Sequence, residues 1–230
     1  MSKQLVVLSG AGISAESGIK TFRDSNGLWE NHDILEVATP QGWRKNQQLV
    51  LEFYNQRRKQ ERACKPNQAH LILAELEHHL EVKIITQNID SLHERAGSSK
   101  VLHLHGEINK AQSSIDPSLI YELDHWEIKI GDTCEKGSQL RPHVVWFGEA
   151  VPKMEEAIGW VEKADIFLIV GTSLQVYPAA SLLDFVPANC PIYLIDPQLP
   201  TTKSYKNLIA IPENASLGME KVKDLIIKSN

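Results

Sequence analysis

Five short apolar runs punctuate the chain, at residues 5–8, 82–85, 101–104, 166–170 and 192–195. Most are apolar at consecutive rather than alternate positions, the pattern of a strand buried on both faces of a parallel sheet. Longer stretches with helical periodicity lie between them. Residues 49–64 read as an amphipathic helix that turns basic toward its end. Residues 67–80 read as a second helix, with Asn67 as N-cap just after Pro66. Residues 152–163 and 217–228 are helical in pattern too. Strands alternating with helices predict an α/β fold with a largely parallel sheet. Two stretches break the rhythm. Residues 21–44, rich in Gly, Asn, Asp and Trp, predict a loop with short helices; residues 107–142, polar and without a strong period, predict an insertion.

In an open parallel sheet, ligands bind at the carboxyl ends of the strands. The five runs end, in order, on Ser9-Gly10-Ala11-Gly12-Ile13-Ser14-Ala15, Thr86-Gln87-Asn88-Ile89-Asp90, His105-Gly106, Gly171-Thr172-Ser173 and Asp196. All five ends carry glycine or polar groups. The first matches G-x-G-x-x-G/A, in which glycines let backbone N–H groups approach a pyrophosphate; a plain tight turn uses the same residues. No strand with an acidic end lies about 20 residues later, which disfavours a hydride-transferring dehydrogenase. Asp196 is the better candidate for a ribose hydroxyl, against a turn aspartate before Pro197. Gly171, Thr172 and Ser173 suit a phosphate or ribose, and equally a helix N-cap. Asn88 offers an amide to another amide such as nicotinamide. Asp90 offers a carboxylate to positive charge, or a cap to the next helix. His105 suits a general base near neutral pH, although a lone histidine is more often structural. His103 lies on the same strand face, but no cysteine or acidic cluster supports a metal pair.

Composition then narrows the classes. With 42% apolar and 23% charged residues in 230, the chain is an ordinary globular sequence, not a disordered chain, a collagen or a coiled-coil rod. A net charge of −5 argues against a basic nucleic-acid binder. The three cysteines, Cys64, Cys134 and Cys190, include no C-x-x-C, so neither a disulfide framework nor a four-cysteine zinc site is expected. The apolar run at 5–8 is too short for a signal or membrane segment. Free thiols suit a reducing compartment, hence a cytoplasmic protein.

The motifs GAGISAESGIKTFR (10–23), QNIDSLHERAG (87–97), LHGE (104–107), RPHVVWFGE (141–149) and GTSLQVYPAA (171–180) resemble those of the sirtuin NAD-dependent protein deacylases. The likeness is greatest to bacterial sirtuins of the desuccinylase-like branch. It implies a Rossmann-like parallel sheet domain with a smaller inserted module. The large part would span about 1–30, 70–106 and 140–230, and the module about 31–69 and 107–139. It implies NAD as a consumed co-substrate. Gly10, Ala11 and Gly12 would hold the pyrophosphate, with Ser14, Trp29, Ile89 and Asp196 in the same cofactor-binding set. Phe22 and Arg23 would sit in a flexible loop over the nicotinamide ribose. Gln87, Asn88 and Asp90 would line the ribose and nicotinamide pocket, and Gly171, Thr172 and Ser173 would touch NAD again. His105 would be the catalytic base, with Asn88 and Asp90 beside it. Val145, Trp146, Phe147 and Gly148 would form the strand and tunnel for the acyl-lysine. In the implied reaction the acyl oxygen attacks the ribose as nicotinamide leaves, and His105 deprotonates a ribose hydroxyl that takes the acyl group. The expected partners are acyl-lysine proteins or peptides, with no nucleic acid and no membrane, acting on a monomer. A mono-ADP-ribosyltransferase and a non-catalytic NAD or ADP-ribose sensor are the rival readings.

Tyr54 and Arg57 stand i and i+3 on the 49–64 helix and so share a face. In the desuccinylase-like branch such a pair recognises the free carboxylate of succinyl-, malonyl- or glutaryl-lysine by charge-assisted bonds. The competing reading is a solvated basic face continuing through Arg58, Lys59, Arg62 and Lys65. The family's two C-x-x-C pairs are missing: Ala111-Gln112-Ser113-Ser114 and Cys134-Glu135-Lys136-Gly137 stand in that region. No zinc is therefore expected, and apolar and backbone contacts, the apolar ones from Ile115, Leu119, Ile120, Leu123, Trp126, Ile128 and Ile130, should hold the module instead. Leu194 stands where many members have asparagine, which removes one adenosine-side contact. Lys20 stands where many have proline.

Overall fold

The computed structural model describes residues 2–20, 28–29, 32–200 and 206–228, with only the backbone of Leu28, Trp29 and Lys228. The five expected strands form as β1 (Gln4–Ser9), β4 (Glu81–Thr86), β5 (Val101–His103), β9 (Ile166–Val170) and β10 (Ile192–Ile195). A sixth, β11 (Leu208–Ile211), pairs on the edge; four residues are too few for periodicity to separate from a helical turn. The sheet order is β11-β10-β9-β1-β4-β5, and every pairing is parallel. The fold is thus α/β and Rossmann-like, as the pattern predicts.

Central β1 is buried at all six positions. Its alternate residues feed two cores. Leu5 and Val7 pack with Ile13, helix α5 (Gln68–Leu76) and helix α8 (Ala215–Lys228) on one face. Val6 and Leu8 pack with α7 (Met154–Val161) and a 3-10 helix, Ala179–Phe185, on the other. Each fully buried aliphatic side chain contributes about 1.5–3 kcal/mol, so a strand apolar on both faces belongs at the centre. Parallel pairing carries the carboxyl ends of the strands to one edge.

The 107–142 stretch is a second, antiparallel sheet of order β7-β6-β8, built from β6 (Gly106–Ser113), β7 (Ile120–Glu122) and β8 (Leu140–Val144). It packs on helix α4 (Gln47–Ala63) through Tyr54, Val50, Ala111, Val144 and Trp146. Residues 140–144 form β8, which pairs with β6. Only Leu104 and His105 separate β5 from β6, so His105 occupies the joint between the sheets. Gly106 must be glycine there: its φ is +81° and a Cβ would stand 2.2 Å from the His143 carbonyl oxygen.

Bonds to backbone groups close much of this module, and only part of the expected apolar row joins its core. Ile115, Ile120 and Ile130 are exposed; Ile128 is buried and Leu123 packs at the margin of the same core. Asn55 of α4 pairs with both backbone groups of Ile128, at 2.9 Å each. Arg58, fully buried, donates to the carbonyls of Ile108 and Trp126 at 2.6 and 2.8 Å. Arg62 donates to those of Leu123 and Asp124. The basic run on α4 is therefore only partly solvated, since two of its arginines stitch the helix to the 108–128 chain. At the far end, Ser113 Oγ accepts from the Ile115 and Asp116 amides and from the Cys134 thiol, while Lys136 pairs with Asp116 at 2.6 Å.

Candidate active site

The strand ends meet in a cleft of about 890 Å³ between the two sheets. Its floor is a contact of backbones. Gly12 N donates to Gly171 O at 2.8 Å, and Gly10 N donates to Val170 O at 3.1 Å. A Cβ on Gly12 would lie 2.6 Å from Gly171 Cα, and one on Gly171, whose φ is +64°, would lie 2.2 Å from Ile13 N. The glycines let two strand-end loops touch, and two of their N–H groups are spent on that contact. Thr172 and Ser173 come next on the same wall, where Thr172 Oγ1 accepts from Gln87 Nε2 at 2.9 Å and from Leu174 N. A helix N-cap, the competing use of this segment, does not form directly at these residues.

The loop after β4 is pinned from several sides. Asn88 Nδ2 donates to Ser14 Oγ at 3.1 Å, and Ser14 Oγ donates to Asp90 Oδ2 at 3.0 Å. The other oxygen of Asp90 accepts from Leu92 N, capping the short helix α6 (Leu92–Ala96). Asp90 thus does both things foreseen for it: it caps, and it lines the cleft. Burial pushes its carboxyl above the ordinary value, which the bonds from Leu92 and Ser14 oppose. Ile89 lies between them and its carbonyl accepts from Ile108 N of β6.

His105 also lines the cleft. Its Nδ1 is 2.9 Å from the Gln87 carbonyl oxygen. A carbonyl only accepts, so Nδ1 carries the proton and the Nε2 lone pair is available. Burial lowers the affinity of this ring for a proton, against the opposing bond to Gln87. It is neutral at pH 7, as a base must be.

At the acyl end, Tyr54 and Arg57 both reach the cleft wall from α4. The Tyr54 hydroxyl accepts from Trp146 Nε1 at 3.1 Å, and burial raises the phenol far above its ordinary value. Val145, Trp146, Phe147 and Gly148 line the same wall, but the strand expected there stops at Val144. Glu149 turns the chain: it pairs with Arg141 at 2.7 Å and accepts from Trp146 N at 2.8 Å, while Gly148 takes a φ of +89°. Arg141 stacks on the Trp146 ring. At the opposite end Asp196 is buried, accepts from Gln198 N in a turn, and borders the cleft. Leu194 points instead into the core of α7 and the 3-10 helix. Phe22, Arg23 and the Trp29 side chain lie outside the described residues.

Residues 10–178 match the Sir2 family. The chain belongs to that family. It is 56% identical over 226 residues to an NAD-dependent protein deacylase of Helicobacter pylori, covering 98% of each chain. It is 54% identical over 230 residues to one of Bacteroides thetaiotaomicron, again covering 98% of each. Among solved structures, a Sir2 homologue in complex with NAD superposes with a TM-score of 0.89 at 39% identity, covering 99% of this chain and 91% of that one.

This sirtuin also uses residues that the sequence pattern did not single out. Glu61, buried on α4, accepts from the Ser91 amide and hydroxyl at 3.1 and 2.7 Å and from Asn109 at 2.9 Å. It ties the helix bearing Tyr54 and Arg57 to the residue after Asp90. Its only sequence signal is its helical spacing from Tyr54 and Arg57. Beneath the cleft, Ser9 Oγ bonds Thr86 and His93, and His93 packs edge-on against His70 at 4.9 Å.

Burial pulls His70 from 6.5 to about 4 and holds His93 well below its ordinary value. Unfolded, both rings take up protons near pH 6.5. Their neutral burial is therefore fully stabilising above that pH and is lost as the pH falls toward 4. For His70 alone the loss reaches ~3 kcal/mol. We expect the melting temperature to fall steadily from pH 7 to pH 5, and His70→Gln to flatten that slope. A melting temperature unchanged over this range would contradict the assignment.

Proposed function

We propose that the cleft removes acyl groups from protein lysines, acetyl as well as the carboxylated succinyl and malonyl, at the expense of NAD. The coarser statement rests on kinship: with 54–56% identity over nearly the whole chain to curated enzymes of that name, it is an NAD-dependent protein deacylase. The observation that carries the finer reading is the cleft itself. It runs unbroken from Asp196 and the glycine contact, past Asn88, Asp90 and His105, to Tyr54 and Arg57.

NAD fits this donor set, and a cleft of about 890 Å³ is of the size that ordinarily takes a cofactor. Gly10, Ala11, Gly12, Ser14, Gly171, Thr172, Ser173 and Asp196 would hold its ADP-ribose part, with Phe22, Arg23 and Trp29 beside it. Gln87, Asn88, Ile89 and Asp90 would hold the nicotinamide end. Bound there, NAD supplies a ribose carbon that parts from nicotinamide and a hydroxyl that receives the acyl group. His105 takes the proton of that hydroxyl at Nε2, with Nδ1 fixed on Gln87. Asp90 places negative charge where positive charge develops. Val145 to Gly148 hold the acyl-lysine. Products are nicotinamide, free lysine and 2′-O-acyl-ADP-ribose. In this reading residues 1–30, 70–106 and 140–230 make the nucleotide-binding part, and 31–69 with 107–139 the module that carries acyl recognition.

The module works without zinc. Supporting this, the donor chemistry does not fit: Ser113, Cys134 and Asp116 are engaged with one another's backbone or with Lys136. Among the described residues no group of three or more His, Cys, Asp or Glu is arranged for a metal. One zinc per chain by elemental analysis would overturn this. The same reading makes the protein a cytoplasmic monomer whose partners are acyl-lysine proteins or peptides, neither nucleic acid nor membrane. Among the described residues no helix is long and apolar enough to cross a membrane.

Incubation with NAD and an acetyl- or succinyl-lysine peptide, followed by mass spectrometry, should yield O-acyl-ADP-ribose. ADP-ribosylated protein would support a transferase instead, and unchanged NAD a sensor. His105→Ala should lower turnover by roughly 10²–10⁴-fold while NAD still binds. Arg57→Met should lower kcat/KM for succinyl-lysine by roughly 10–100-fold and for acetyl-lysine by far less, as loss of one charge-assisted bond requires. Equal losses on both substrates would remove the carboxylate reading.

A further inference from the structure

His103 is buried on β5, two residues before His105, and both of its ring nitrogens are committed. Nδ1 lies 2.9 Å from the Asn88 carbonyl oxygen and Nε2 lies 2.8 Å from Glu94 Oε1. A carbonyl oxygen only accepts, and so does an ionised carboxylate. Both nitrogens must then carry protons, and the ring is an imidazolium paired with Glu94. His105 makes the parallel bond to the preceding residue, Gln87, through Nδ1 alone. His103 at the end of β5 and His105 in the joint after it thus grip successive carbonyls of one loop, one ring charged and one neutral.

The surroundings favour that charge. Glu94 faces His103 from α6, Glu107 from β6, and Asp90 from the loop itself. Lys110 of β6 is close to Glu94 but is paired with Glu107 and Glu122. His93 of α6 and His70 of α5 are held neutral. Burial pulls His103 down, and the bond and charge of Glu94 outweigh it, leaving the ring above its ordinary value. Asn88 is fixed at three points: its N–H on Thr86 Oγ1 at 3.1 Å, its side chain on Ser14, and its carbonyl on His103. Only the third anchor is a ring that can gain or lose a proton.

We propose that His103, as an imidazolium paired with Glu94, is a positioning residue whose grip on the Asn88 carbonyl sets the loop that presents Asn88 and Asp90 to nicotinamide. The proposal rests on the reading of Asn88 as a nicotinamide contact. Discharging His103 replaces a charge-assisted bond to the Asn88 carbonyl by a weaker neutral one, while leaving the base, His105, in place.

The test is Glu94→Gln in the full chain, with thermal unfolding as a control. The Glu94 side chain is 42% exposed, so the substitution keeps its shape at a tolerant position. Without the counter-ion, His103 loses its proton at lower pH. kcat/KM for NAD should then decline at lower pH than in the parent, by roughly threefold to tenfold, the difference between a charge-assisted and a neutral hydrogen bond. Glu94→Asp should restore much of the parent profile. In ¹⁵N-histidine NMR at pH 7.5, one ring should carry both protons, and His103→Gln should remove that signal. A neutral His103, or a Glu94→Gln profile that superimposes on the parent's, would overturn the proposal. Asn88→Ala separates the layers. If it leaves KM for NAD and inhibition by nicotinamide unchanged, the reading of Asn88 has failed, and the proposal with it. If it alters them while Glu94→Gln does not, the positioning proposal alone has failed.

Discussion

The cleft depends on one approach of backbone to backbone. Gly12 N meets Gly171 O at 2.8 Å, and no side chain fits between the ends of β1 and β9. Parallel pairing brings the strand ends to a common edge, but it does not make their loops touch. That requires glycine on both sides, one of them at a positive φ. With the floor set, Gln87 reaches Thr172, Asn88 reaches Ser14, and Ser14 reaches Asp90. The polar wall is thus a chain of neighbours, each held by the one before.

The opposite wall is held by a different physics. Helix α4 presents an apolar side to Trp146 and Val144 and a polar side to bare backbone carbonyls. Arg58 satisfies carbonyls that would otherwise be buried unpaired, and Arg62 pairs two more at the exposed margin. Glu61 extends the same stitching to Ser91, so the helix bearing Tyr54 and Arg57 is bonded to the loop bearing Asn88 and Asp90. Tyr54 and Arg57 at one end of the cleft and Asn88 and Asp90 at its middle therefore share one support.

Much of this was legible in the residues. Five strands with no polar alternation predict a buried parallel sheet, and their carboxyl ends supply most of the cleft floor. β11 escaped because four apolar residues carry no period. The second sheet escaped because β6 runs Gly-Glu-Ile-Asn-Lys-Ala-Gln-Ser, polar on its outer face and short of apolar partners. Its stability comes from arginines on a distant helix, a long-range contact that local pattern cannot show. For the same reason the run from Arg57 to Lys65 looked solvated, although Arg58 is fully buried. Glu61 and the His103–Glu94 pair are likewise tertiary facts: each residue is unremarkable until its partners are known.

The position of His105 in a two-residue joint has a mechanical consequence. β5 belongs to one sheet and β6 to the other, and Val145 N bonds the His105 carbonyl from across the joint. A rotation of one sheet against the other would turn about this point. Residues far from a pivot sweep long arcs, and residues on it scarcely move. Such a rotation would change the width of the cleft at Phe147 and leave the distance from His105 to the Gln87 loop nearly constant. The architecture separates the part of the site that must adapt from the part that must stay still.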